Sequence, residues 1–177
     1  MRKAVFLDRD GTINVDKGYV HRIEDWEWIS GAIDAIAALN NAGFLVIVVT
    51  NQAGIARGYY TDKQVNELHA WVNRKLEKHG ARIDGFYFCP HHPEFGEECE
   101  CRKPLPGLLL QAKQDFDIDL ANSWLVGDKA GDILAGMAAG VKPILVMTGY
   151  GKEQRKLLPA EAICATDITE ASDLICH

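Results

Sequence analysis

The sequence predicts an α/β fold with an open, mainly parallel sheet, and three features carry the prediction. Short, nearly continuous apolar runs recur along the whole chain, as expected of strands covered on both faces. Segments with helical patterning fall between those runs, and strand–helix alternation is the mark of a parallel sheet. Glycines stand where three of those helices should end, at Gly43, Gly80 and Gly140, because a helix C-terminus favours a left-handed residue.

The expected strands cover 3–7, 44–49, 85–88, 124–126 and 143–147, with a weaker one at 162–165. Helices are expected at 32–42, 62–79, 108–116 and 132–139, with a short final one at 170–176. Thr61 followed by Gln64 is a capping-box match for the second helix. No repeat or low-complexity linker interrupts the pattern, so 1–177 is expected to form one domain. Apolar residues make up 47% and charged residues 25% of the chain, the proportions of an ordinary globular protein. A net charge of −6 gives no bulk attraction to a nucleic-acid backbone or an anionic membrane. The apolar run behind Arg2 and Lys3 is too short for a signal-peptide core, and no stretch approaches a membrane span. The expectation is a cytoplasmic monomer with no nucleic-acid or membrane partner.

Open sheets of this kind bind ligands outside the carboxyl ends of their strands, near a switch in strand order. The polar residues at the expected strand ends form one chemically coherent set. The first strand runs into Asp8-Arg9-Asp10-Gly11-Thr12. Alternate residues of a strand share a face, so Asp8 and Asp10 should leave it on the same side. Two adjacent carboxylates repel unless a cation or a shared proton lies between them, and a hard divalent metal such as Mg2+ suits them. The second strand ends in Thr50-Asn51-Gln52, and the fourth in Gly127-Asp128-Lys129 with Asp132 four residues past Asp128. Lys103, in Cys101-Arg102-Lys103-Pro104, precedes an expected helix. Cations there oppose the helix dipole, and an anion held beside them would remove the conflict.

Five cysteines, an odd number in a chain that reads as cytoplasmic, argue against a disulfide framework. Three of them crowd around histidines in Cys89-Pro90-His91-His92 and Cys99-Glu100-Cys101. Three thiolates and one imidazole suit tetrahedral Zn2+, and four protein ligands leave no open position, which makes the site structural. The loop 89–101 has no apolar core of its own for the metal to supplement. Either His91 or His92 could supply the nitrogen. Cys164 and Cys176 lack partner ligands and read as small hydrophobes. Trp26 and Trp28 are expected to pack one edge, and His69 and His79 to lie on the helix surface.

Asp8-x-Asp10-Gly11-Thr12, Thr50, Lys103 and Gly127-Asp128-x-x-x-Asp132, in that order, resemble the haloacid dehalogenase (HAD) superfamily of phosphohydrolases. The resemblance implies a Rossmann-like three-layer α/β/α fold. It makes Asp8 the nucleophile that forms an aspartyl phosphate and Asp10 the general acid and base. Thr50 and Lys103 would bind phosphoryl oxygens. Mg2+ would be held by Asp8, the main-chain carbonyl of Asp10, and Asp128; Asp132 is left as either a further ligand or a partner of one.

The zinc loop narrows the resemblance to the zinc-bearing group of heptose-bisphosphate and histidinol-phosphate phosphatases. Within that group the ligands would be Cys89, His91, Cys99 and Cys101. Gly18-Tyr19-Val20-His21, Thr50-Asn51-Gln52-Ala53-Gly54-Ile55-Ala56-Arg57-Gly58 and Cys101-Arg102-Lys103-Pro104 favour the heptose side. The expected reaction is removal of the C7 phosphate of a phosphorylated heptose, on the route to activated heptose for surface glycans. The short stretch between Asp8 and Thr50 leaves no room for a large cap domain. Specificity must then come from the loops 14–22 and 52–60 and the zinc loop. Asp16, Gly18, Tyr19, Asn51, Gln52, Ala53 and Lys129 are the expected substrate-binding residues there. Arg102 would grip the phosphate that is not transferred, and Arg57 is a weaker candidate for the same task. Histidinol phosphate or a broader set of sugar phosphates is the rival substrate. A phospholigand-binding module without catalysis is the rival class.

Overall fold

A computed structural model gives the fold, and it describes residues 1–96 and 98–177. Six parallel strands, β1 (Ala4–Leu7), β2 (Leu45–Asn51), β3 (Gly85–Cys89), β4 (Trp124–Gly127), β5 (Lys142–Val146) and β6 (Cys164–Ala165), lie in the order β3-β2-β1-β4-β5-β6. The helices are α1 (Ala32–Asn41), α2 (Asp62–Glu77), α3 (Gly107–Phe116), α4 (Ala130–Ala139), α5 (Gly151–Gln154) and α6 (Ile168–Cys176).

Alternation along the strands divides the core in two. Val5, Leu7, Val46 and Val48 face α1, α2 and α6 through Ile36, Leu39, Leu68, Val72 and Ile175. Ala4, Phe6, Leu45, Ile47 and Val49 face α3 and α4 through Leu109, Ala112 and Ala135. Both faces are covered, which is why these strands read as unbroken apolar runs. Strand order reverses at β1, with β2 on one side (Leu7 beside Val48) and β4 on the other (Leu7 beside Val126). The carboxyl ends of β1, β2 and β4 therefore meet at one crevice.

Several boundaries move for reasons that lie outside local sequence. β2 continues through Thr50 and Asn51 because they pair with Phe88 and Cys89 of β3. Thr50 and the first cysteine of the metal-like cluster are thus fixed by the sheet. The capping box at Thr61 and Gln64 forms as expected. α3 begins at Gly107 with Pro106 as its cap. Lys103 therefore lies ahead of the helix and not in its first turn, and its charge is met elsewhere. α6 begins earlier than expected, where the Asp167 side chain accepts the Glu170 N–H. Among the described residues, no helix is long and apolar enough to cross a membrane.

Candidate active site

The end of β1 delivers Asp8, and Lys103 meets it from across the crevice. The Lys103 ammonium donates to Asp8 Oδ1 at 2.8 Å, to Asp132 Oδ1 at 2.6 Å and to the Val49 carbonyl at 2.7 Å. Burial works against that charge, but Asp132 and Asp8 outweigh it and raise the lysine pKa. Asn51 sets where the lysine stands. Its side chain accepts the Lys103 N–H and donates to the Lys103 carbonyl, both at 3.1 Å.

Asp8, Asp128 and Asp132 each place a carboxylate oxygen within 4.8 Å of the others, and all three are buried. Burial and the charge of Asp8 push the Asp128 carboxyl up to about 8. Asp128 Oδ2 accepts the Tyr150 N–H at 2.9 Å, whereas its buried Oδ1 has no hydrogen-bond partner. A crowd of buried carboxylates with an orphaned oxygen fits a hard divalent cation. The main chain is built around this acid. A Cβ on Gly11 would stand 2.3 Å from Asp128 Oδ2 and one on Gly149 2.2 Å from it, and both glycines have positive φ. Asp132 is occupied otherwise. Its Oδ1 faces Lys103, and its Oδ2 accepts the Lys129 N–H at 3.0 Å.

Asp10 sits in a nest of donors. Arg9 Nε and Nη2 donate to its two oxygens at 3.1 and 3.0 Å. Asn14 adds a bond of 3.0 Å and Gln52 one of 3.1 Å. Burial alone would raise the carboxyl pKa, but the Arg9 charge and these bonds outweigh it and hold the pKa below the usual range. Gln52 Nε2 also donates to Thr50 Oγ1 at 2.9 Å, so one amide ties Asp10 to Thr50.

Above this floor opens a cleft of about 510 Å³. Its lining includes Asp10, Asp16, Gly18, Tyr19, Asn51, Gln52, Ala53, Arg102 and Lys129, all expected from sequence. Asp16 accepts the Gly18 N–H at 2.9 Å and lies 3.8 Å from Lys129 Nζ. Arg102 Nη1 donates to the His91 carbonyl at 3.2 Å, which anchors it to the cysteine-rich loop. Arg57 does not line the cleft: its guanidinium lies over the Phe95 ring, 4.8 Å from the centroid. Tyr60, Tyr150 and Gln154 do line it and were not anticipated.

Two further residues depart from expectation. His69 is buried, not on the surface, stacked on Phe86 at 4.4 Å with its Nε2 3.3 Å from Arg9 Nη1. Arg9, fully buried beside it, was given no role from sequence. Strand alternation would turn it away from Asp8 and Asp10, but the chain leaves the strand after Leu7 and the guanidinium folds back.

At the edge of the cleft, Cys89, His91, Cys99 and Cys101 bring one ligand atom each within 4.8 Å of the others. Cys89 Sγ is 3.7 Å from both Cys99 Sγ and His91 Nδ1, and His91 Nδ1 is 3.4 Å from Cys101 Sγ. Tetrahedral neighbours at metal–sulfur distances of about 2.3 Å stand roughly 3.8 Å apart, so the spacing fits Zn2+. The His92 ring turns away and accepts the Glu94 N–H.

Sheet order, strand-end acids and a buried lysine together define a hydrolase of the HAD type. A family model described as "HAD-hyrolase-like" matches residues 100–171. A D-glycero-beta-D-manno-heptose-1,7-bisphosphate 7-phosphatase of Yersinia pestis is 50% identical over 170 residues, covering 93% of this chain and 87% of its own. Its counterpart in Escherichia coli K12 is 51% identical over 152 residues, covering 82% and 80%. The crystal structure of D,D-heptose 1.7-bisphosphate phosphatase from B. bronchiseptica, complexed with magnesium and phosphate, superposes with a TM-score of 0.90. That structure is 36% identical and covers 98% of this chain and 97% of its own. The chain belongs to the heptose-bisphosphate phosphatase family of HAD-like hydrolases.

Proposed function

We infer that this protein is a Mg2+-dependent phosphatase that removes the C7 phosphate of D-glycero-D-manno-heptose 1,7-bisphosphate, leaving heptose 1-phosphate. The observation that carries the chemistry is the convergence of Asp8 and Asp128, from two strand ends, with Lys103, from the loop ahead of α3, at one buried point. The substrate rests on the relatives, which bear that activity in their names over more than four-fifths of their length. The chain acts as a single domain, and the reading extends to a cytoplasmic monomer that supplies the route to activated heptose for surface glycans.

Asp8 attacks phosphorus and carries the phosphoryl group as an acyl phosphate while the sugar alkoxide departs. Lys103 already touches the Asp8 carboxylate, so a phosphoryl group arriving there meets the ammonium, and Thr50 supplies a hydroxyl to the same oxygens. Asp10 gives its proton to the alkoxide and then takes one from the water that frees Asp8. Its donors favour the carboxylate, the form that the second half needs. The negative charge of an arriving phosphate raises its proton affinity for the first half. Asp8, Asp128 and the main-chain carbonyl of Asp10 hold Mg2+, which offsets the charge of nucleophile and phosphate when bound. Asp132 acts through Lys103 and stands outside the ligand set. Arg102 binds the phosphate that remains, and Asp16, Gly18, Tyr19, Asn51, Gln52, Ala53 and Lys129 receive the sugar. Zn2+ on Cys89, His91, Cys99 and Cys101 stiffens the loop that presents Arg102 and Lys103.

Phosphate release from the heptose bisphosphate, histidinol phosphate and simple sugar phosphates tests the reading. The heptose bisphosphate should have the highest kcat/KM and leave the C1 phosphate intact by phosphorus NMR. A preference for histidinol phosphate would overturn the substrate, and no turnover with any of them would favour a binding module.

A further inference from the structure

The cleft wall holds a buried phenol that the chemistry above does not use. Tyr60 is 5% exposed and donates its hydroxyl proton to Gln52 Oε1 at 2.6 Å. Burial pushes that hydroxyl up to about 12, so it remains a donor at neutral pH. Its ring is clasped on two sides. The His21 imidazole stacks on it at 4.6 Å and 13°. On the other side the Gly54 main chain lies so close that a Cβ there would stand 2.1 Å from the ring and 2.8 Å from the hydroxyl oxygen. Such close approach needs glycine at position 54, and it leaves the phenol little freedom to turn.

An amide side chain can face either way, and its two orientations differ only in which end meets each partner. At Gln52 the consequences differ greatly. With Nε2 inward, the amide donates to Asp10 Oδ2 and Thr50 Oγ1. Reversed, it would turn a carbonyl oxygen toward the Asp10 carboxylate. Tyr60 gives the carbonyl end a donor on the outer side and so favours the inward arrangement.

We propose that Tyr60 is a positioning residue. It fixes the direction of the Gln52 amide, and through that amide it holds the Asp10 carboxylate and the Thr50 hydroxyl in the relation that proton transfer and phosphoryl binding require. The proposal rests on the role given to Asp10 above. It also explains why the loop 52–60 folds back on itself: Gln52 and Tyr60 occupy its two ends, and their hydrogen bond closes it.

Tyr60→Phe keeps the ring, its stack on His21 and its seat against Gly54, and removes only the donor. The buried Gln52 oxygen then lacks a partner, a loss that buried groups tolerate poorly. For the heptose bisphosphate we expect kcat to fall about tenfold with KM changed less than twofold, and the melting temperature to stay within a few degrees. The same substitution placed in a Gln52→Ala protein, followed by single-turnover phosphate release, should add less than a twofold loss, because Tyr60 acts only through that amide. An undiminished kcat in Tyr60→Phe overturns the proposal. So does an equal loss in both backgrounds, which would mean packing alone. Asp10→Asn, measured beside them, separates the two levels of the account. If it retains wild-type turnover, the role of Asp10 fails and the proposal with it. If it is crippled while Tyr60→Phe is not, only the proposal fails.

Discussion

Acidification should weaken this protein through one histidine, and the effect can be worked out from its surroundings. His69 is stacked on Phe86, buried, and faces the Arg9 guanidinium through Nε2. Burial and the Arg9 charge push its pKa from 6.5 down to about 3. Below pH 6.5 the unfolded chain takes up a proton there and the folded chain does not, so stability falls as pH falls, until native His69 titrates near pH 3. A one-proton difference is worth about 1.4 kcal/mol per pH unit once pH is well below 6.5. Between pH 7 and pH 5 the contribution is about 2 kcal/mol, a substantial part of a domain's stability. Urea unfolding of wild type and His69→Gln across that range, with metals saturating, measures it. Glutamine keeps an acceptor for Arg9 but cannot take up the proton. The wild type should lose about 2 kcal/mol more than the variant. Parallel curves for the two proteins would refute the assignment of His69 as a buried neutral base.

Zinc removal by a chelator that spares Mg2+ should raise KM for the heptose bisphosphate more than it lowers kcat, because Arg102 hangs from the His91 carbonyl; unchanged kinetics in zinc-free protein would contradict the role given to the loop. Arg102→Ala should raise KM for the bisphosphate roughly tenfold, the scale of a lost charge-assisted contact, while a monophosphate is turned over as before. Equal losses with both substrates would show that Arg102 does not read the second phosphate. Gly11→Ala drives a methyl group into the Asp128 carboxylate at a residue with φ of +89°, so Mg2+ affinity by titration should fall about tenfold or more, and left-handed strain should separately lower folding stability by about 1–2 kcal/mol.

Much of this architecture was legible because sequence and structure share a cause. Strands β1, β2 and β4 are buried on both faces, so they appear as apolar runs, and the polar residues that end them are the ones that meet at the crevice. Asp8, Thr50 and Asp128 could be placed on that basis, Lys103 by its position before an expected helix and by the family motif, and the cysteine spacing pointed to the cluster at 89–101. What escaped depends on contacts between segments distant in the chain. Strand alternation gave no hint that Arg9 turns back on Asp10, because the strand stops at Leu7. His69 looked like one polar residue on a helix face, yet the partners that bury it, Arg9 and Phe86, lie on other elements. Tyr60, Tyr150 and Gln154 line the cleft from loops and from α5, whose four residues are too few for a periodic signal. One late boundary was readable: Asp167 three residues before Glu170 is a cap signature, and it marks the true start of α6.

The central claim is that Asp8 takes the phosphoryl group onto its own carboxylate. Acid quenching of the enzyme during turnover of the heptose bisphosphate, followed by borohydride reduction and peptide sequencing by mass spectrometry, tests it directly. Reduction of an acyl phosphate at that position should leave homoserine in place of Asp8, and only in samples that received both Mg2+ and substrate. Homoserine at Asp10 or Asp128 instead, or an unmodified Asp8 under conditions where rapid-quench kinetics show a burst of released sugar, would contradict the account.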